Sequence, residues 1–341
     1  MIELSTNVVF ALGLICAFYI AWCLGANDAA NPTDTTVGAG VLDWKTARHI
    51  FAVFVFLGAL LQGHMVMKTI GRGVVNYIDV LGCLAIVLGA GLWITLCTWR
   101  GLPISTTHST VGAVLGYGLV KYGIERVNWN VVMSVILSWC LTPILGITVA
   151  VTMYRITMWL LSKVKNVERI EKVARWGLIA SLCFSAYSFG ANDVGNATGV
   201  FISITSSIGD VPPHLSTVLL AAFGALGIVL GAYTLGYRVT NTVGFRITRL
   251  DPVTGFIAEF SNAVLVYAFT TVPYMLFGFG MPISTTHASV SSIMGVGLAK
   301  GVENIDWRTV LYIVLAWVLT VPGAALFSST MYLLLTHVVT T

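Results

Sequence analysis

Seven stretches of the chain are long, apolar and nearly uncharged: residues 4–24, 50–67, 80–99, 131–153, 214–237, 252–279 and 310–335. None alternates polar and apolar positions with the period of two that a barrel strand shows. Each approaches or exceeds the roughly 20 residues that a helix needs to cross the hydrocarbon of a bilayer. The pattern predicts an all-α integral membrane protein. Composition agrees, with 57% hydrophobic and only 9% charged residues, against roughly 25% charged in a soluble domain. No basic residue precedes the first apolar run, and Glu3 is the only early charge. The first segment therefore reads as a retained membrane helix and not a secretory signal.

The net charge of +4 is mild and does not point to nucleic acid. Its distribution is more informative. Arg155, Lys163, Lys165, Arg169, Lys172 and Arg175 face only Glu168 and Glu171 within residues 155–175. Clustered Lys and Arg between apolar segments mark a cytoplasmic loop. The six cysteines form no CxxC pair and read as small buried hydrophobes.

The chain is written twice. Gly25-Ala-Asn-Asp-Ala-Ala-Asn31 returns 165 residues later as Gly190-Ala-Asn-Asp-Val-Gly-Asn196. Pro103-Ile-Ser-Thr-Thr-His108 returns 179 residues later as Pro282-Ile-Ser-Thr-Thr-His287. Gly58, Gly63, Val66, Thr69 and Gly71 match Gly231, Gly236, Val239, Thr242 and Gly244, and Trp129 and Trp139 match Trp307 and Trp317. Order is kept while the offset drifts, as in a duplicated half with small loop insertions. The expected organisation is a membrane repeat over 1–160, a basic cytoplasmic linker over 161–175 and a second membrane repeat over 176–341. Two large membrane repeats are a transporter pattern, and broken half-helices at an inverted-repeat interface are expected on that analogy. No enzyme is implied.

Polarity at depth singles out the chemistry. Asp28, Asp34, Asp193 and Glu259 fall in or beside apolar segments, where carboxylates are costly and functional by default. Asn27 or Asp28 shares a helical face with Asn31, and Asn192 or Asp193 with Asn196. Gly25 and Gly190 are expected to permit a helix break that frees backbone carbonyls. Carboxylate, amide and carbonyl oxygens together suit a hard cation such as sodium. Helix capping and interhelical glue are the structural alternative for the same residues.

The second motif reads as a helix start, with Pro in the first turn and Ser or Thr able to cap. Ser105, Thr106, Thr107, Ser284, Thr285 and Thr286 would surround two such starts. Unpaired N–H groups, a partial positive charge and hydroxyl donors together make a small oxyanion pocket. Neither motif pair contains Lys or Arg, so an anion there needs a co-bound cation, sodium or proton. His108 and His287 close the motifs without a fixed role. Two rival readings use the same residues. A hydrolase would employ Ser105, His108 and Asp28, but the chain has no G-x-S-x-G elbow and no use for two nucleophile sets. A divalent-metal transporter would gather Asp28, Asp193, His108 and His287.

At both motif pairs the chain resembles the inorganic phosphate transporter family, the low-affinity phosphate permeases of bacteria and archaea and the sodium–phosphate symporters of eukaryotes. The resemblance covers nearly the whole chain. It implies inverted repeats, outside termini, a homodimer and cation-coupled phosphate import across the cytoplasmic membrane. It implies cation roles for Asn27, Asp28, Asn192 and Asp193, to which helical spacing adds Asn31 and Asn196, and phosphate contacts from the six Ser and Thr residues. The run Gly255–Phe260 looks like the family's acidic helix, which gives Glu259 a cation role. No cofactor is implied beyond sodium as coupling ion. Asp34 departs from the small-residue run common in the family, Gly195 replaces a common alanine, and no acidic residue lies between Asp43 and Asp79. Related sulfate permeases lose the Asn-Asp pair that this chain keeps, which favours phosphate and sodium.

Overall fold

A backbone in hydrocarbon must satisfy its own N–H and C=O groups, and a helix does so within one segment. The computed structural model describes residues 6–70, 74–75, 77–199 and 213–338. Thirteen α-helices and no strand occur among the described residues. The first half holds α1 (Thr6–Asp28), α2 (Ala30–Gly38), α3 (Trp44–Gln62), α4 (His64–Ile70), α5 (Val80–Trp99), α6 (Thr106–Tyr122) and α7 (Trp129–Leu161). The second holds α8 (Val167–Thr198), α9 (Pro213–Thr234), α10 (Gly236–Arg246), α11 (Pro252–Phe277), α12 (Thr285–Lys300) and α13 (Trp307–Val338). One 3-10 turn, Ile124–Arg126 or Val302–Asn304, sits at the same place in each half.

Seven segments are long and apolar enough to cross a membrane, and they fall on the seven apolar runs of the sequence. Leu4 and Gly71 lie outside the described residues. Helix α8 is a long element that the runs do not reveal. Its first turns carry Glu168, Arg169, Glu171, Lys172 and Arg175, which dilute the hydropathy of a 32-residue helix. Its C-terminal half holds the repeat position of α1. Most of the basic linker is thus helix, with only residues 162–166 between α7 and α8.

The halves interleave. Helix α1 packs on α9 and α3 on α8, while α6 packs on α13 and α12 on α7. Glycine makes the first two crossings possible. A Cβ at Gly25 would stand 1.7 Å from the Ile228 carbonyl oxygen, and one at Gly231 would stand 2.0 Å from that of Trp22. In the other crossing, a Cβ at Gly190 would stand 2.2 Å from the Val55 oxygen, and one at Gly58 would stand 1.9 Å from the Tyr187 oxygen. This corrects the expected role of Gly25 and Gly190. Neither breaks its helix; both let two backbones touch. The chain breaks instead at Ala29, between α1 and α2, whereas α8 runs unbroken to Thr198.

Candidate functional site

Helices α6 and α12 begin in the protein interior. Ser105 and Ser284 precede them with extended backbones, and their Oγ atoms accept the N–H of His108 at 3.2 Å and of His287 at 3.1 Å. The serines are therefore N-caps, which leaves their hydroxyl hydrogens to other partners. The first-turn N–H groups lie ahead of any intrahelical acceptor, so each tip carries partial positive charge. The tips meet head to head. Thr107 donates to the Ile283 carbonyl at 3.3 Å, and Thr286 donates to the Ile104 carbonyl at 2.9 Å.

The Asn-Asp motifs wrap this junction. Asp28 accepts from Thr106 at 2.6 Å and from Thr286 at 3.1 Å. Asn31 donates to Thr285 at 3.1 Å and Thr286 at 3.3 Å. In the other half, Asn196 donates to Thr107 at 3.1 Å and to Asp193 at 2.9 Å, and Asp193 lies beside Thr285. Each motif thus holds both helix tips. Asn27 and Asn192 stand one step back. The Asn27 amide donates to Thr98 at 2.8 Å and to the Leu102 carbonyl at 3.0 Å, while its oxygen accepts the Ile104 N–H at 3.1 Å. Asn192 repeats the donor half of this pattern on Thr270 at 2.8 Å and Met281 at 3.1 Å. They pin the extended segments that deliver the tips.

Asp34 and Glu259 form a second cluster. Ser289 donates to Asp34 at 2.8 Å, and Thr35 donates to Glu259. Asn262 donates to the Asn31 carbonyl at 3.2 Å and to Ser185 at 3.1 Å, which joins the two clusters. Asp28, Asp34, Asp193 and Glu259 are all fully buried, and no Lys or Arg is buried among the described residues. Several oxygens face no hydrogen-bond donor among the described residues: one each on Asn31, Asp34, Asn192, Asp193, Glu259 and Asn262. Buried anionic oxygens without donors demand positive charge from outside the chain.

A profile of the phosphate transporter family matches residues 24–328, which include both copies of both motifs. This chain belongs to the phosphate transporter family. It is 34% identical to a protein of Pyrococcus abyssi provisionally named a phosphate permease, over 95% of this chain and 97% of that one. It is 29% identical to the chloroplastic inorganic phosphate transporter 2-1 of Arabidopsis thaliana, over 95% of this chain and 72% of that one. A solved structure named as the sodium-dependent phosphate transporter superposes with a TM-score of 0.84 at 30% identity, covering 97% of this chain and all of that one. The transporter is accordingly a multi-pass membrane protein whose substrate is phosphate.

The rival reading of a hydrolase is not assembled in the transporter. Ser105 takes the His108 backbone N–H, while the His108 ring nitrogens meet no hydrogen-bond partner among the described residues. The two imidazoles turn to each other, with ring centroids 4.5 Å apart, and lie tilted against Trp139 at 3.6 Å and Trp317 at 3.8 Å. They brace the helix tips from behind. Sequence reading missed Thr98, Thr270, Ser289 and Asn262. Thr98 and Thr270 carried a usable signal, since they recur 172 residues apart. Ser289 lies four residues after Thr285 and Asn262 three after Glu259, so helical spacing also pointed to them.

Proposed function

We propose that the transporter is a sodium-coupled symporter that imports inorganic phosphate across the cytoplasmic membrane by alternating access. The observation that carries the reading is the meeting of two helix N-termini between two fully buried aspartates, Asp28 and Asp193, with no buried Lys or Arg among the described residues. Phosphate would lie at the junction, on the first-turn N–H groups and the hydroxyls of Ser105, Thr106, Thr107, Ser284, Thr285 and Thr286. Sodium would lie beside it, against the oxygens of Asn27, Asp28, Asn31, Asn192, Asp193 and Asn196, with a further cation at Glu259.

The coupling follows from charge. Four buried carboxylates and an oxyanion repel one another in a medium of low dielectric. A cation that binds first cancels part of that repulsion and raises affinity for the anion; the anion raises affinity for the cation by the same factor. Thr106 and Thr286 now donate to Asp28. A cation on that carboxylate would free the Thr106 hydroxyl for a phosphate oxygen; the Thr286 hydroxyl is shared with the Ile104 carbonyl at 2.9 Å. An inverted relation of the halves, outside termini and a homodimer belong to the same reading. Likeness to a transporter described as sodium-dependent supports sodium as the coupling ion. Uptake of labelled phosphate into proteoliposomes under a sodium gradient, a proton gradient or neither tests it. Sodium-driven uptake resistant to excess sulfate is the expected result. Uptake driven only by protons would reassign the carboxylates as proton carriers, and no phosphate uptake would refute the reading.

A further inference from the structure

Where α7 ends, its neighbours diverge. Between the last turn of α7, the start of α8 and the start of α11 lies an open groove of about 520 Å³. Its walls are apolar, with Leu160 and Val164 on one side, Val173 on another and Phe256 across from them. Gly177 belongs to the floor; a Cβ there would meet the Phe256 ring at 3.1 Å, so its absence lets the ring lie close to α8. Arg169 is the only charged residue in this lining.

The rim is basic. Lys163 sits over the Trp159 ring at 3.3 Å, and Lys165 and Lys172 flank Arg169 in sequence. Arg175 is paired with Glu171 at 2.9 Å, whereas Lys163, Lys165, Arg169 and Lys172 form no ion pair among the described residues. Glu168 is the one acid left against them within residues 155–175. Trp159 and Trp176 are exposed beside the cluster, as aromatic residues at a membrane–water interface are.

We propose that this groove binds one anionic phospholipid of the cytoplasmic leaflet, with an acyl chain along the apolar walls and the phosphate headgroup on Arg169 and its neighbouring lysines. An apolar slot with the unpaired Arg169 in its lining, in a segment rich in further unpaired cations, matches an anionic amphiphile at both ends. A neutral lipid leaves the cations without counter-charge. A second copy of the chain fits worse, because a two-fold contact would press the same basic segment against itself. The lipid would bear on transport through two helices. From Ala174 at the groove, α8 runs to Asn192, Asp193 and Asn196, and from Phe256, α11 reaches Glu259 within one turn.

Native mass spectrometry of the full chain in neutral detergent tests this, with phosphatidylglycerol and phosphatidylcholine of matched acyl chains as probes. Expected is retention of one phosphatidylglycerol, preferred by about tenfold, since each cation near a headgroup contributes on the order of a several-fold factor. Arg169→Gln should remove most of that preference. Val173→Trp, at an exposed position, should displace both lipids. Melting curves confirm that both variants are folded, and Lys172→Gln is the alternative where Arg169→Gln melts early. Equal retention of the two lipids, or an unchanged preference in Arg169→Gln and Lys172→Gln, overturns the proposal. Displacement of phosphatidylglycerol by glycerol 3-phosphate or inorganic phosphate also overturns it, in favour of a simple anion site. Crosslinking of Val173→Cys between copies would assign the groove to a dimer contact instead.

Discussion

Asp28 accepts a hydrogen bond from Thr286, 258 residues away in the other half of the chain, at 3.1 Å. That single contact places a carboxylate of the first repeat on the helix tip of the second. A hydrogen bond to a charged group contributes about 1.5–3 kcal/mol. Thr286→Val removes this hydroxyl, the same donor proposed for the substrate. The apparent phosphate constant should rise about 10- to 100-fold, and Thr107→Val should act in the same direction through the other tip. Uptake kinetics in proteoliposomes give both values, and unchanged constants in both variants would sink the hydroxyl pocket.

The glycine crossings predict a different failure. Gly25→Ala or Gly190→Ala drives a methyl group into the carbonyl oxygen of Ile228 or Val55. Overpacking of this kind costs about 1–3 kcal/mol and sometimes more. Both variants should melt well below wild type by size-exclusion after heating. Gly40→Ala is the control: its φ of +66° strains a side chain, but nothing lies within 4 Å of the new Cβ. A Gly25→Ala protein as stable as wild type would show that the helices can part without penalty.

Asn27 ties Thr98, Leu102 and Ile104 together through every polar atom of its side chain. Asn27→Ala takes this partner from the Leu102 carbonyl and the Ile104 N–H, while Thr98 keeps its bond to the Ile94 carbonyl at 2.8 Å, and it frees the segment that delivers α6. Phosphate affinity should fall by at least about tenfold, at about 1–3 kcal/mol for an orphaned buried group. Thr98→Val, which removes one of the three contacts, should do less. Equilibrium binding of labelled phosphate ranks the two, and an equal or reversed ranking would deny Asn27 its positioning role.

Much of this was legible in the sequence, and the reasons for the gaps are physical. Period and length gave the spans, because hydrocarbon admits few alternatives to helix. Helix α8 escaped because its first turns are charged while its last turns carry Asn192 and Asp193, so the uncharged stretch between them, residues 176–191, is shorter than a full span. The start of α6 at Thr106 was readable from Pro103 and Ser105, whose chemistry is local. The contacts of Asn31 with Thr285 and of Asn196 with Thr107 were not readable in detail. They depend on how two halves interleave, which no local pattern encodes. Gly25 and Gly190 misled for a related reason: the same residue type serves a break or a close crossing, and only the neighbouring helix decides which.

Acid should weaken the α5 terminus in a defined way. Asp79 caps α5 on the Gly82 N–H at 2.8 Å, accepts from the Tyr117 hydroxyl at 2.9 Å and pairs with Lys121. Burial pushes its carboxyl up, but the hydrogen bond from Lys121, with those from Gly82 and Tyr117, outweighs it and holds the group below the usual carboxylate range. A pKa depressed in the folded state gives stability that is complete above the unfolded value near about 4 and lost as pH falls through the folded one. Melting temperature should therefore fall more steeply below about pH 4 in wild type than in Asp79→Asn. Parallel curves would remove Asp79 from the acid response.

The most direct measurement is equilibrium binding of labelled phosphate to purified protein across a sodium series, for wild type, Asp28→Asn and Asp193→Asn. Wild-type affinity should rise with sodium, and both variants should lose most of that rise while remaining folded. If both variants keep the wild-type sodium dependence, the cations that balance phosphate do not sit at the Asn-Asp pairs, and coupling through Asp28 and Asp193 is wrong.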